Sequence, residues 1–212
     1  KENDYLSGAI FVQQNVSFQD RYIVTAGVRN DILDLSETDK LTNSTDSDTF
    51  SEFSVRGALT YIVNDSVSSY VSMVESVQPP SVGTQPERGR QYELGAKYSP
   101  ADFNAIFSAA VYQLTKGNSS IAVVQGDGSI TRETLSESQV YGFDFEARAE
   151  LTDNLSLTGA YSFMQTEVIE GTVRGTSVKG NELATAPHHT ASLWGYYSLP
   201  NYGASLGLGT RS

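Results

Sequence analysis

The sequence predicts an all-β protein, an antiparallel meander of about ten long strands. Three observations predict it. Apolar and polar residues alternate with period two over long stretches, as in Gln139 to Phe163, QVYGFDFEARAELTDNLSLTGAYSF. Short turns and long polar stretches alternate along the chain. No apolar run approaches the ~20 residues of a membrane-spanning helix. In the quoted stretch Phe143, Phe145, Ala147 and Ala149 share one parity, and Asp144, Glu146, Arg148 and Glu150 the other. Successive side chains of a strand point to opposite faces, so one face is greasy and one charged. A helix would scatter these charges all round. Past a turn at Thr152, Asp153 and Asn154, Leu155, Leu157, Tyr161 and Phe163 resume the pattern.

The other elements follow in order. Strands are expected at 5–18 and 21–33, joined by Gln19 and Asp20, with a polar loop at 34–49. Residues 50–63 alternate Phe53, Val55, Leu59 and Tyr61 against Ser54, Arg56 and Thr60; Asn64 and Asp65 turn the chain into 66–78. A loop with Pro79, Pro80, Gly83 and Pro86 leads to 88–98, where Tyr92, Leu94, Ala96 and Tyr98 oppose Gln91, Glu93 and Lys97. A tight turn at Ser99 to Asp102 feeds 103–116. The stretch 117–138 reads as a long polar loop with room for a small hairpin at Gly126, Asp127 and Gly128. The stretch 166–186 is another loop, and strands at 187–199 and 202–212 follow, joined at Pro200 and Asn201.

Strict alternation of short turns and long loops is the arrangement of an outer-membrane barrel, whose apolar face meets lipid and whose polar face lines a wet lumen. A soluble sandwich mixes loop lengths at both ends. Tyr22, Tyr61, Tyr98, Phe103 and Phe163 fall near strand ends, where an interfacial aromatic girdle is expected. Charged residues make up 18 % of the 212-residue chain, below the roughly 25 % of soluble domains, and the formal net charge is −11. Such acidity argues against nucleic acid as a partner. Cysteine is absent, which excludes disulfides and thiolate metal sites.

Several clusters have a simpler reading than chemistry. His188 and His189 are adjacent in a strand, so they face opposite ways and cannot readily share a metal. The acidic stretch of Asp34, Glu37, Asp39, Asp46, Asp48 and Glu52 matches no calcium-loop spacing and reads as a solvated outer loop. Glu93, Lys97, Asp144, Glu146, Arg148 and Arg56 share the inward face; with no nucleophile–base pair among them, they read as a salt-bridge network rather than a catalytic set. Arg88 and Arg90 lie at the outer end of a strand, where guanidinium groups suit either lipopolysaccharide phosphates or solvent. Asn64 and Asn154 begin N-x-S/T sequons, but turn chemistry explains them. Tyr112, opposite in parity to Phe103, Phe107 and Val111, is expected to point into the upper lumen. Tyr70, opposite Val71 and Met73, has the same facing at greater depth. A phenol suits a ligand with apolar faces and polar edges, so both are candidate ligand contacts; packing against other lumen residues is the alternative.

The chain resembles the barrel of TonB-dependent outer-membrane receptors, most like those for hydroxamate-type ferric siderophores. FQDRYIVTAGVRND at Phe18 to Asp31, SSYVSMVESVQPP at Ser68 to Pro80 and ERGRQYELGAKYSP at Glu87 to Pro100 carry the resemblance. VYGFDFEARAELTDNLSLTGAYSF and KGNELATAPHHTASLWGYY at Lys179 to Tyr197 complete it. It implies that residues 1–212 are an internal part of a transmembrane barrel of about 22 strands, with the plug domain, the TonB-contacting segment and the C-terminal strands not found in this stretch. It further implies a bacterial outer-membrane location and energy-dependent uptake of a ferric siderophore. The expected partners are outer-membrane lipid and lipopolysaccharide, and the plug and TonB machinery through the rest of the protein. No catalysis is implied, and no cofactor: iron arrives inside the chelate. Alternatives from other classes are a passive porin-type channel and a soluble β-rich adhesin or scaffold. If the loops lie outside, cysteines at positions 119 and 176 of the full-length protein will react with an impermeant thiol reagent on intact cells. One at 153 will not; equal labelling at both ends would refute the sidedness.

Overall fold

Backbone N–H and C=O groups in hydrocarbon have no water to turn to, so each strand here must find its partner in the next one. The computed structural model describes residues 2–80, 82–124, 126, 128, 130–183 and 186–212. Its strands are β1 (Glu2–Phe18), β2 (Tyr22–Asp39), β3 (Ser44–Asn64), β4 (Val67–Gln78), β5 (Glu87–Tyr98) and β6 (Ala105–Val124). They continue as β7 (Ile130–Thr152), β8 (Leu155–Glu170), β9 (Thr172–Val173), β10 (Thr176–Ser177), β11 (His189–Leu199) and β12 (Ala204–Arg211). Ten of them form one sheet in the order β1-β2-β3-β4-β5-β6-β7-β8-β11-β12, every neighbour antiparallel. The chain is therefore a meander; β9 and β10 pair separately inside the last long connection.

Five tight connections gather at one end. Gln19 and Asp20 both take left-handed φ of 52°, which closes the β1–β2 turn. The Asn64 side chain accepts from the backbone N–H of Ser66 and Val67, both at 2.9 Å. Thr152 Oγ1 does the same for Leu155 at 3.0 Å and Asn154 at 3.3 Å. Among the asparagines it is Asn43 and Asn118 that adopt left-handed backbone, with φ of 56° and 58°.

The register fixes two faces. Leu94 lies opposite Val111, Phe145 opposite Ala109 and Tyr161, and Leu157 opposite Ala149 and Gly195. Glu93 lies opposite Tyr112, Glu146 opposite Ser108, and Thr158 opposite Arg148 and Trp194. The expected facing holds: apolar residues share the outward face and charged residues the inward one. Aromatic pairs border the outward band. Tyr22 and Tyr61 stand 5.1 Å apart and Tyr98 and Phe107 6.1 Å apart near the turns, while Phe163 meets His189 at 5.2 Å near the other edge.

Two expected loops are strand instead. Residues 34–49 continue β2 and β3 up to a four-residue tip, and 117–138 continue β6 and β7, which stay paired as far as Val124 and Ile130. The polar composition of these stretches reports the end of the apolar outward band, not absence of pairing. Thr38 meets Thr45 at 3.0 Å, and Thr49 donates to Asp34 at 2.8 Å, so cross-strand hydroxyls take over from apolar pairs. Of the small hairpin expected at Gly126, Asp127 and Gly128, Gly128 has φ of 82°; Asp127 lies outside the described residues.

Within the lipid-facing band the sheet buries almost nothing: Val12, Leu94 and Phe145 are all exposed. Apart from Ala105 beside the β5–β6 turn, the buried apolar side chains of the described residues collect at the outer ends, as Leu33 and Leu35 in one group and Leu135 and Val168 in another. Over the second group the 171–183 connection folds back. Val168 donates to Asn181 and Gly180 to Val168, both at 2.8 Å, and Leu183 donates to Thr166 Oγ1 at 2.9 Å. Phe145→Arg in the full-length barrel should lower its unfolding free energy in a bilayer by about 2–4 kcal/mol, and Glu146→Arg far less. Denaturant titration in lipid vesicles measures both, and equal losses would refute the facing.

Candidate functional site

The inward wall carries the polar chemistry. Tyr70 on β4 donates to Glu93 Oε1 on β5 at 2.6 Å, and the Gln91 amide donates to Glu93 Oε2 at 2.9 Å. Lys97 Nζ stands 5.9 Å from the Tyr70 ring centroid, within cation–π reach. Ser162 on β8 donates to Asp144 on β7 at 2.5 Å. The expected salt-bridge network does not form. Among the described residues no ion pair joins any two of Arg56, Glu93, Lys97, Asp144, Glu146 and Arg148. The register is the reason, since it sets each charge opposite neutral neighbours: Glu146 faces Ser108 and Ala160, and Arg148 faces Ile106 and Thr158.

Both candidate tyrosines face inward, as their parity requires, but neither stands up into the lumen. Each ring lies across a glycine of the next strand. A Cβ on Gly95 would sit 2.5 Å from Tyr70 Cε1, and one on Gly142 would sit 2.2 Å from Tyr112 Cζ. Trp194 on β11, which parity alone had not singled out, lies likewise over Gly207 and Gly209 of β12. The signal available in the sequence was a strand glycine on the polar parity, a position where backbone entropy argues against glycine and close approach argues for it.

The two arginines have protein partners. Above Arg56 and Val74 the strands β3 and β4 separate, leaving a fork in the wall. Glu75 spans it: one oxygen accepts from Arg90 Nη2 at 2.6 Å and Nε at 3.0 Å, the other from the Val55 backbone N–H at 3.3 Å. Arg88 pairs with Glu52 across the same gap. Above it, Gly83 donates to Asp48 at 2.6 Å and the Asn118 side-chain amide donates to the Pro86 carbonyl at 3.3 Å, which ties the 79–86 connection to both neighbouring hairpins. Part of the acidic stretch is thus built into the outer wall. His188 pairs with Glu182 at 3.0 Å and His189 with the Tyr161 hydroxyl at 2.8 Å, so the two histidines serve different contacts.

A family model described as "TonB dependent receptor-like, beta-barrel" matches residues 1–212. The chain is 34 % identical over 211 residues to the ferrichrome outer membrane transporter/phage receptor of Escherichia coli K12, covering 95 % of this chain and 27 % of that protein. It is 29 % identical over 210 residues to the ferrioxamine B receptor of Salmonella typhimurium LT2, covering 95 % of this chain and 29 % of the relative. The chain therefore spans less than a third of these curated relatives. Among solved structures, the siderophore receptor PiuA from Acinetobacter baumannii superposes with a TM-score of 0.76 at 19 % identity, over 98 % of this chain and 33 % of that one. The alcaligin outer membrane receptor FauA from Bordetella pertussis gives 0.75 at 20 %, over 99 % and 37 %. At such identities the likeness is one of fold. Tyr70→Phe removes the hydroxyl that donates to Glu93 and should lower the unfolding free energy of the full-length barrel by about 1 kcal/mol. Denaturant titration checks it, and an unchanged midpoint would remove the bond from the account.

Proposed function

The chain belongs to the TonB-dependent receptor β-barrel family, and on that premise we propose that the whole protein takes up a ferric siderophore of the hydroxamate class across the bacterial outer membrane. The observation that carries this reading is the full-length family match together with relatives named for ferrichrome and ferrioxamine B. The geometry supports it through a wall with one greasy and one charged face, which fits a barrel between lipid and a wet interior. Lipid meets the outward band. Lipopolysaccharide phosphates reach Arg88 and Arg90 by competing with Glu52 and Glu75.

Inside, Glu146 and Arg148 have neutral neighbours on the wall and offer their charges to a plug domain. TonB moves that plug. The iron travels within its chelate, so uptake needs no resident metal ligand on the wall and no bond-making chemistry. Tyr112, with Tyr70 deeper, offers a flat phenol to the passing chelate; a ring held down on glycine presents its face, which suits an apolar ligand surface. The family match speaks against a passive porin and a soluble adhesin.

The full-length protein in a strain lacking its own hydroxamate receptors should take up radio-iron from ferrichrome or ferrioxamine, and should stop when TonB is deleted. Uptake that survives without TonB would point to a passive channel, and no uptake by a correctly assembled barrel would end the substrate reading. Tyr112→Ala should weaken binding of the ferric ligand by about 1–2 kcal/mol with the barrel's stability retained. Titration of purified receptor reads this, and wild-type affinity would remove Tyr112 from the site.

A further inference from the structure

The strand glycines divide by face. Gly27, Gly89, Gly95, Gly142, Gly207 and Gly209 point inward, and at each a Cβ would meet a side chain of the neighbouring strand at 3.0 Å or less. The covering groups are Arg56, Ser76, Tyr70, Tyr112 and, over the last two, Trp194. Gly8, Gly57, Gly117, Gly159 and Gly195 point outward, and there the nearest atom stands at 3.3 Å or more, or no atom stands within 4 Å. Space for a missing Cβ is therefore filled on one face only. Glycine weakens a strand wherever it sits, so strand stability alone gives no reason for this asymmetry. Its geometric effect is one-sided as well. A tyrosine or tryptophan lying in a glycine slot rises from the wall by the thickness of its ring, not by its length.

We propose that Gly95, Gly142, Gly207 and Gly209 are clearance positions: they fold Tyr70, Tyr112 and Trp194 down so that a close-fitting folded domain seats against the wall. This deepens the receptor reading and rests on it, since the occupant is the plug domain of the same polypeptide. Two observations favour such an occupant over a water-filled lumen. Inward charges such as Glu146 and Arg148 sit opposite neutral wall residues, where a facing domain can supply counter-charges. The relatives matched are more than three times longer than the span they share with this chain, which covers 27 % and 29 % of them. An added methyl at Gly142 overlaps the Tyr112 ring, and the ring's remaining rotamers stand away from the strand, into the occupant's volume.

The test uses the purified full-length receptor with a single cysteine at position 108, which faces inward opposite Lys97 and Glu146. Its reaction rate with a bulky maleimide reads how well the occupant is seated. In an otherwise wild-type receptor the rate should be slow. Gly142→Ala should raise it by about tenfold, the lower range for overpacking a fitted contact. Gly142→Ala combined with Tyr112→Ala should return it to the slow rate, because the displaced ring is gone. Gly159→Ala, where the new Cβ meets Leu193 at an ordinary 3.6 Å, should leave it slow. Gly95→Ala with and without Tyr70→Ala repeats the test at a second slot.

Slow labelling in Gly142→Ala and Gly95→Ala alike, or no recovery in the double variants, overturns the proposal. So does failure of both glycine variants to fold, which would assign the slots to barrel assembly. Fast labelling of the otherwise wild-type receptor would instead show an empty lumen and sink the receptor reading itself. Absence of hydroxamate uptake with the expected labelling pattern would cost only the choice of substrate.

Discussion

Backbone hydrogen bonding in a medium without water is the constraint on which the rest of this structure depends. Each unpaired group in hydrocarbon costs several kcal/mol. A sheet of ten strands without one crossover is the direct outcome, because a meander gives every strand an immediate partner as it forms. The same constraint relaxes beyond the membrane. There β3 leaves β4 above Arg56 and Val74, and the fork is spanned by side chains, not ladder bonds. Water can satisfy what those side chains miss. The fork's position therefore marks where the solvent changes as clearly as the aromatic pairs do.

Two solvents on two faces explain what was legible in the sequence. Phe143 to Glu150 alternates so regularly because each parity answers to a different medium, and the facing of Leu94, Phe145 and Leu157 follows from parity alone. Where the outward face leaves the hydrocarbon the signal fades. Residues 34–49 and 117–138 read as loops because Thr, Ser, Asn and Asp are frequent in them, yet β2 and β3 pair up to Asp39 and Ser44, and β6 and β7 up to Val124 and Ile130. Composition reported solvent there, and pairing had to come from the structure.

The inward wall was legible by parity and illegible by neighbour. Tyr70, Tyr112, Glu93 and Glu146 all face as expected. Which residue sits beside each depends on register across strands far apart in sequence, and no periodicity within one strand contains that. The salt-bridge network failed for this reason: six charges on one face say nothing about whether any two are adjacent. Arg88 and Arg90 found Glu52 and Glu75, and Tyr70 found Glu93 and Gly95, through the same unseen alignment.

The outer hairpin of β2 and β3 carries an implication for how such a protein diversifies. Its tip spans only residues 40–43, and its paired arms stand beyond the apolar outward band. Length can change at that tip without disturbing anything in hydrocarbon. Within the arms, an inserted residue on each side keeps the pairing but reverses the parity of all that follows toward the tip, whereas two on each side restore it. Descendants of this barrel should thus vary their exterior in steps, with pairs of residues gained or lost on each arm. The turns at the opposite end, clamped by Asn64 and Thr152, should hold their length across the lineage.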